Sequence, residues 1–442
     1  MRYSNYNLII SLGKDYILFN SKSKVICKFD QDLYTRFMSI IDYTPEEIEF
    51  FSNLGLIVDK GCDERKILEL QFLDEIFDKS LNLTIMPTEQ CNFRCKYCYE
   101  DFRKGKMTYQ DQNKLCKYIR KNLHNFTNLY VSWFGGEPTL ALDVIEALSR
   151  DFIASCESLK KIYSAGITTN GYLLTYEVFC KLLELKVRHF QVTIDGNREQ
   201  HDRIKKTIDN QSTFDTVWGN LIDIKNKSHK KTFDITIRIN INKESIKDLK
   251  SIAQMLYYEF GDDQRFNFYF RPVGDWGGER VKEIIDYVFE PEQYSQIYQE
   301  LAKLSYPLNY RMYFLELTRN IDICYAAARN SYVIGSDLRL YKCSVIFDNP
   351  LKQVGQIRDN GNIYLDNDKI SKWILSGINA SSDTVCKSCL LYGNCHNSAC
   401  IADQVRDLKI RNCPHMKNSL KELLILLSDD IRYCVRYTCQ DI

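Results

Sequence analysis

The chain lacks an excess of charge of either sign. Its 59 lysines and arginines meet 58 aspartates and glutamates, for a net charge near +1. Proteins that grip nucleic acid through its phosphates carry a clear basic surplus, so no nucleic-acid partner is expected. No apolar run approaches the roughly 20 residues that span a bilayer, so no membrane partner is expected either. The opening stretch, MRYSNYNLII, has none of the basic, apolar and small-residue regions of a secretory signal. Repeats and low-complexity tracts are missing too. These absences leave a soluble, cytoplasmic protein as the expectation.

What is present is ordinary in bulk. The 442 residues suffice for two to four domains, and 45% apolar with 26% charged residues is a usual globular mix. The 17 cysteines are not usual. In a secreted chain they would suggest disulfides; in the cytosol, metal binding or catalysis explains them better. They are also unevenly spread. Cys91, Cys95 and Cys98 form C-x3-C-x2-C within EQCNFRCKYCYEDF, and seven more fall between Cys324 and Cys413.

Residues 1–76 read as a separate module. YNLIISL and DYILFN alternate like hairpin strands across Gly13 and Lys14. Thr44, Pro45 and Glu47 fit an N-cap, a first helical position and a capping-box partner, and Gly55 ends that helix before the strand-like LIVDK. The outline is a small winged-helix-like unit; a purely structural N-terminal domain is the simpler alternative. From 81 to 280 strands and helices alternate. The strands are LNLTIMP (81–87), NLYVSWF (128–134), SAGITTN (164–170), HFQVTID (189–195), FDITIRINI (233–241) and RFNFYFRPV (265–273). Six β–α units imply a parallel sheet. They fall short of the eight of a closed barrel, so an open partial barrel with a lateral cleft is expected, with chemistry at the C-terminal strand ends. The cysteine triplet directly follows the first strand. Residues 281–320 read as a helical bridge, and 321–442 as a cysteine-rich domain.

Zinc usually takes four protein ligands, so a lone triplet leaves it one short. A 4Fe–4S cubane held by three cysteines leaves one iron open to an outside ligand. C-x3-C-x-aromatic-C after a first barrel strand, with Tyr97 as the aromatic, resembles the signature of the radical S-adenosylmethionine (SAM) enzymes. The resemblance implies a partial (β/α)6 TIM-like barrel. It implies SAM chelated at the open iron and cleaved reductively to a 5′-deoxyadenosyl radical that takes hydrogen from substrate. FGGEP follows the second strand. By the same resemblance, Gly135 and Gly136 approach the methionine moiety, and Glu137 or nearby carbonyls accept from its ammonium. TTNG and VTIDG end the third and fourth strands, placing Asn170, Thr193 and Asp195 toward the SAM or substrate pocket. On the fifth strand Arg238 and Asn240 share a face, positioned for the SAM carboxylate and ribose. Singly, Gly-Gly and Asn-Gly are turn signals; their common register with the triplet makes them a site.

Cys386, Cys389, Cys395, Cys400 and the final Cys413-Pro414, preceded by Cys324 and Cys343, resemble a SPASM domain with two auxiliary 4Fe–4S clusters. The resemblance assigns Cys386, Cys389, Cys395 and Cys413 to one cluster and Cys324, Cys343 and Cys400 to the other, for three clusters in all. Two departures stand out. Leu338 occupies the place, five residues before Cys343, where that family has glycine, and four residues rather than three separate Cys395 from Cys400. A structural zinc site on C-x2-C-x5-C is the alternative. Cys27, Cys62, Cys116, Cys156, Cys180, Cys434 and Cys439 are expected to be inert thiols, and His396 and His415 packing residues.

SPASM enzymes mostly modify peptides. The N-terminal module resembles the recognition element of ribosomal-peptide (RiPP) maturases, in which a leader peptide adds as a strand to a sheet edge. The implied function is a radical SAM peptide maturase acting on a precursor peptide. It would install a thioether, or a C–C or C–O crosslink, with electrons from a donor such as flavodoxin or ferredoxin. An anaerobic sulfatase maturase, forming formylglycine, is the second reading; those enzymes carry aspartate directly after the second SPASM cysteine, where this chain has Ser344. A zinc-stabilised peptide-binding scaffold is the third.

Overall fold

The computed structural model describes residues 1–100, 102, 104–274, 280–290, 293, 297, 300, 317, 323–345, 352–379, 386, 388–395, 400–406, 413, 415–429 and 434–442. The chain divides into two compact units. One comprises Met1–Phe77, Glu292–Ala327 and Ile374–Ile442; the other comprises Asp78–Pro291 and Ala328–Trp373.

In the first unit β1 (Arg2–Tyr3) pairs with β5 (Ile57–Val58), and β2 (Asn7–Leu12), β3 (Asp15–Asn20) and β4 (Val25–Asp30) form an antiparallel meander. The expected hairpin across Gly13 and Lys14 is present. Helix α1 (Gln31–Phe37) starts where Asp30 accepts the Leu33 N–H. Helix α2 (Pro45–Asn53) has the full Thr44–Glu47 capping box, with Pro45 in the first turn. Phe29, Phe37 and Phe51 interlock at ring separations of 5.1–6.0 Å in a core with Leu18, Leu33 and Ile57. Burying such side chains contributes about 1.5–3 kcal/mol each. Helix α3 (Glu64–Ile76) follows; its Leu68 packs with Tyr6 and Tyr392. LIVDK contributes only the two residues of β5.

The second unit holds all six expected barrel strands: β6 (Leu81–Ile85), β7 (Asn128–Trp133), β8 (Ile162–Thr169), β9 (Val187–Ile194), β10 (Asp234–Ile241) and β11 (Phe266–Pro272). They lie side by side in chain order and parallel. Helices α4 (Tyr109–Asn122), α5 (Leu142–Ser158), α6 (Tyr176–Glu184), α7 (Arg198–Ile204), α8 (Phe214–Lys227) and α9 (Leu249–Phe260) alternate with them. Thr108 caps α4 by accepting the Asp111 N–H. The strands are not apolar throughout. Leu129, Val131 and Trp133, then Ala165 and Ile167, then Ile235, Ile237 and Ile239 are buried, while the residues between them are mostly polar. One sheet face is core. The other presents Ser132, Thr168, Gln191, Thr193, Thr236 and Arg238 as a hydrophilic lining, because side chains alternate along a strand.

Residues after 327 depart from the sequence expectation. β12 (Ser331–Ile334) pairs parallel with β6, and β13 (Arg339–Tyr341), β14 (Gln353–Ile357) and β15 (Ile363–Leu365) continue the same sheet antiparallel. The 321–442 stretch is therefore shared between the two units. An unpaired β6 edge would expose a row of backbone donors and acceptors, and β12 satisfies them. Most of the 281–320 bridge lies outside the described residues; Arg280–Tyr287 is a 3₁₀ helix.

Candidate active site at the barrel strand ends

The loop after β6 carries Cys91, Cys95 and Cys98 and is held at many points. The Gln90 side chain donates to the carbonyls of Phe102 and Lys104 at 2.6 and 2.8 Å, closing the loop on itself. Arg94 N donates to Lys206 O at 2.9 Å, and Ile208 N to Asn92 O at 3.0 Å, tying the loop to the segment after α7. Phe93 packs edge-on against Tyr172 at 5.5 Å. Cys91 is buried and accepts the Phe93 N–H at 3.3 Å. Burial pushes its thiol well above the ordinary range, and the charges of Glu137, Cys95 and Cys98 push the same way. Among the described residues no three ligating side chains form a ready-made metal cage. Three soft thiols on one short loop nevertheless fit an iron–sulfur cluster, because metal coordination removes the cost that burial places on a bare thiolate.

The FGGEP turn sits against this loop. Gly135 has φ +119°, and a Cβ there would lie 2.3 Å from Thr88 O. A Cβ on Gly136 would lie 2.4 Å from Gln90 O. What these glycines admit is the cysteine loop's own backbone. Glu137 is fully buried. Its Oε1 accepts from Thr139 N, Thr139 Oγ1 and Thr169 Oγ1 at 3.0, 2.6 and 2.7 Å, and its Oε2 from Asn170 N at 2.7 Å. Its N–H donates to Gln90 O at 2.9 Å. These bonds hold Glu137 rigidly at the strand ends, with Oε2 accepting a single hydrogen bond. Desolvation raises its pKa, against the pull of these donors.

Asn170 joins β8 to the cysteine loop, its amide donating to Asn92 Oδ1 at 2.8 Å and lying 3.9 Å from the Cys91 sulfur. Tyr97, Asp195, Asn240 and Arg238 form one directed chain. Arg238 Nε donates to Asn240 Oδ1 at 2.9 Å, Asn240 Nδ2 to the Tyr97 hydroxyl at 3.0 Å, and that hydroxyl to Asp195 Oδ2 at 2.5 Å. Arg238 and Asn240 do share a face, and Thr193 is the register partner of Arg238 on β9. Asp195 Oδ1 is buried without a hydrogen-bond partner. Burial raises the Asp195 carboxyl, opposed chiefly by the Lys205 charge; burial, then the Asp195 charge, raises the Tyr97 phenol.

Two buried residues here escaped the sequence reading. Lys205 Nζ is 3.9 Å from Asp195 Oδ2 and lies over the Tyr97 ring. His201 Nδ1 accepts the Asp195 N–H at 3.2 Å. The polar side chains in VTIDGNREQHDRIK, just past a strand end, were the available signal.

Of the C-terminal cysteines, Cys324, Cys386, Cys389, Cys395, Cys400 and Cys413 lie in the first unit and Cys343 in the second. Lys417 Nζ donates to Cys413 Sγ at 3.4 Å. Burial works against its charge, but Cys413, then Cys389 and Cys386, raise its pKa. Leu338 has φ +64° in the β12–β13 connection. That left-handed conformation is the reason glycine suits the position; here a buried leucine accepts the strain. His396 lies outside the described residues.

Residues 85–255 match the family model of the radical SAM superfamily. The chain is 26% identical over 223 residues to the Fe-coproporphyrin III synthase of Methanosarcina barkeri, matching 50% of this chain and 52% of that protein. It therefore spans about half the length of that relative. It is 25% identical over 351 residues to the cysteine-type anaerobic sulfatase-maturating enzyme of Clostridium novyi, matching 72% of this chain and 87% of that one. In fold it is similar to native anSMEcpe solved with bound AdoMet and Cp18Cys peptide, at TM-score 0.58 and 18% identity, over 79% of this chain and 97% of that one. Among the described residues no helix is long and apolar enough to cross a membrane.

Proposed function

Because residues 85–255 are a radical SAM superfamily domain, we propose that the chain is a radical SAM peptide maturase that crosslinks a ribosomally made precursor. Cys91, Cys95 and Cys98 would hold a 4Fe–4S cluster with SAM at its open iron, and SAM would supply the hydrogen-abstracting radical there. The chain's residues do the rest. The Gln90 and Arg94 contacts fix the loop, Glu137 clamps the ends of β7 and β8, and the Arg238–Asn240–Tyr97–Asp195 chain sets the polar wall beside the loop. Joining two substrate atoms removes two hydrogens: one leaves as an atom to the radical, the other as a proton and an electron. Auxiliary clusters on Cys386, Cys389, Cys395 and Cys413, and on Cys324, Cys343 and Cys400, would take that electron, and a flavodoxin- or ferredoxin-type donor would supply the one consumed in SAM cleavage.

One observation carries the peptide reading. The winged-helix-like module and the 386–395 cysteine segment are built into one unit. Ser21 Oγ donates to Leu390 O, Lys24 Nζ donates to Gly393 O, and Tyr392 packs with Tyr6 and Leu68 beneath Arg65, 4.5 Å above its ring. The module that would hold the peptide thus packs against the segment carrying cysteines that would handle its electrons. The peptide in the anSMEcpe structure agrees with a peptide substrate class. The likeness to a sulfatase-maturating enzyme keeps formylglycine formation as the second reading, against which stands Ser344 beside Cys343.

The test is anaerobic incubation with SAM, a reductant and synthetic cysteine-containing peptides, following 5′-deoxyadenosine and peptide mass. Crosslinking is expected as loss of two hydrogens with sulfur retained. Loss of sulfur instead supports formylglycine formation. SAM cleavage with no peptide product from any cysteine-containing sequence sinks both peptide readings.

A further inference from the structure

Lys96, between Cys95 and Tyr97, stands exposed on the cysteine loop. With Arg198 and Arg203 of α7, and Lys206 just after it, it lines a groove of about 880 Å³. Among the described residues only Glu199 and Asp202 oppose these four cations on its wall. The chain as a whole is close to neutral, so the surplus is local. We propose that this groove is the docking surface for an acidic one-electron carrier protein of flavodoxin or ferredoxin type. The electron consumed in SAM cleavage enters there directly, not by way of the C-terminal cysteines. The inference rests on the radical SAM part of the proposed function and adds to it the surface and the route.

The charges differ in how firmly they are held. Arg198 pairs with Asp215, and Arg203 with Glu244 and, at 3.1 Å, with Glu199. These are exposed pairs of small worth, which a partner's carboxylates can exchange. Asp202 is already engaged, its Oδ1 accepting from Thr213 N and Phe214 N at 2.8 and 2.9 Å at the start of α8. Lys96 and Lys206 have no ion pair among the described residues. Two free ammonium groups beside two weakly held guanidiniums favour a partner that presents carboxylates. Charge of one sign gathered in a groove also speeds encounter with a partner of the other sign.

Backbone pairing fixes the groove to the cysteine loop. Phe93 lies antiparallel to Thr207. Arg94 N donates to Lys206 O at 2.9 Å, Lys96 N to Ile204 O at 3.3 Å, and Ile208 N to Asn92 O at 3.0 Å. This register sets Cys95 opposite Lys205, and Lys96 and Lys206 belong to the same short ladder. Lys96 is also one peptide from Cys95, with Cα atoms about 3.8 Å apart. A carrier seated on these lysines therefore meets the side of the loop where Cys95 and Cys98 are half-buried, whereas Cys91 lies inside. In the encounter one electron leaves the reduced carrier and is consumed in breaking the C–S bond of SAM. No proton or group crosses between the proteins.

The probe is a purified acidic flavodoxin kept reduced by its NADPH-dependent reductase. Dithionite, which needs no docking surface, is the comparison, and 5′-deoxyadenosine is followed without peptide. Lys96→Glu with Lys206→Glu should lower kcat/KM for flavodoxin about tenfold and leave the dithionite-driven rate within about twofold. Raising salt from about 50 mM to about 500 mM should slow the parent's flavodoxin-driven rate and hardly change the variant's. Equal flavodoxin kinetics in parent and variant overturn the proposal. So does a parent that dithionite drives and neither flavodoxin nor a bacterial ferredoxin drives. Loss of flavodoxin-driven cleavage in Cys386/Cys389/Cys413→Ala, with dithionite-driven cleavage intact, would route the electron through the C-terminal cysteines and overturn it as well. Weaker peptide binding in the lysine variant, with flavodoxin kinetics unchanged, would assign the groove to the precursor instead. Should Lys96→Glu lower the iron content, Lys206→Glu alone takes its place, with an expected loss of about threefold. The assay contains no peptide, so failure of the peptide-maturase reading leaves its outcome standing. Failure of the radical SAM reading shows separately, as no 5′-deoxyadenosine with dithionite.

Discussion

The loop after β6 and the 386–413 stretch both collect thiols, by different means. The first does it within one short loop. Cys91, Cys95 and Cys98 are eight residues end to end, clamped by Gln90, Arg94 and Asn92 through hydrogen bonds of 2.6–3.0 Å. The second relies on the fold. Cys386 and Cys389 on one segment and Cys413 on another all act on the charge of Lys417, and Cys343 belongs to the other compact unit. A site written in one loop tolerates much change elsewhere, whereas a site assembled by tertiary structure depends on everything that assembles it.

The largest effect comes from setting the two against each other. Cys91/Cys95/Cys98→Ala should abolish 5′-deoxyadenosine formation and remove about 4 of about 12 irons per chain. Cys386/Cys389/Cys413→Ala should remove a similar share of iron yet leave SAM cleavage without peptide in place. Anaerobic iron and sulfide analysis beside a SAM-cleavage assay decides. Equal loss of cleavage in both variants would show that the two regions are not separable.

Glu137 tests how firmly the first site is built. Its removal leaves Thr139 N and Asn170 N without their acceptor in a buried place. Glu137→Ala should therefore cost about 3 kcal/mol in chemical denaturation, and Glu137→Gln, which keeps an oxygen, about half of that. A cost under about 0.5 kcal/mol would mean that the clamp is ornamental.

Tyr97→Phe sharpens the comparison next. It takes the donor from Asp195 Oδ2 and the acceptor from Asn240 Nδ2 while keeping the ring. A group that positions SAM through others should raise the KM for SAM about tenfold and move kcat less. An unchanged KM would separate the chain of hydrogen bonds from SAM binding.

Much of this was legible beforehand, for physical reasons. All six barrel strands and the Thr44–Glu47 cap stand where apolar runs and cap chemistry put them, because those signals are local. The cysteine loop is local too. Three things were not. The sheet's growth through β12–β15 depends on the need of β6 for a partner, which no window of sequence reveals. The polar face of the barrel strands was hidden because the buried face is strongly apolar, with Trp133 and Phe190 among its Leu, Ile and Val residues. Lys205 and His201 give no local signal of burial, and only tertiary packing buries them.

His201 gives the smallest effect and the clearest sign. Its Nδ1 accepts from Asp195 N, so its proton sits on Nε2, facing Thr213 Oγ1 at 3.1 Å; that hydroxyl in turn donates to Lys205 O at 2.8 Å. Only the neutral ring fits. Burial first, then the Lys205 charge, lowers its pKa from 6.5 to about 3. Between those values the unfolded chain binds a proton that the folded chain refuses. This residue's contribution is therefore whole above the unfolded pKa, and is lost progressively as pH falls from there toward the folded one. Lowering the pH from roughly 7.5 to roughly 6 should cost about 1 kcal/mol through His201 alone. Other groups titrate in that range, so the decisive quantity is the parent's pH dependence minus that of His201→Gln, from urea titrations at both pH values. If the two chains lose stability equally, the ring accepts its proton in the folded state. The Asp195 N–H would then need another acceptor, and the first site would be less firmly fixed than its distances imply.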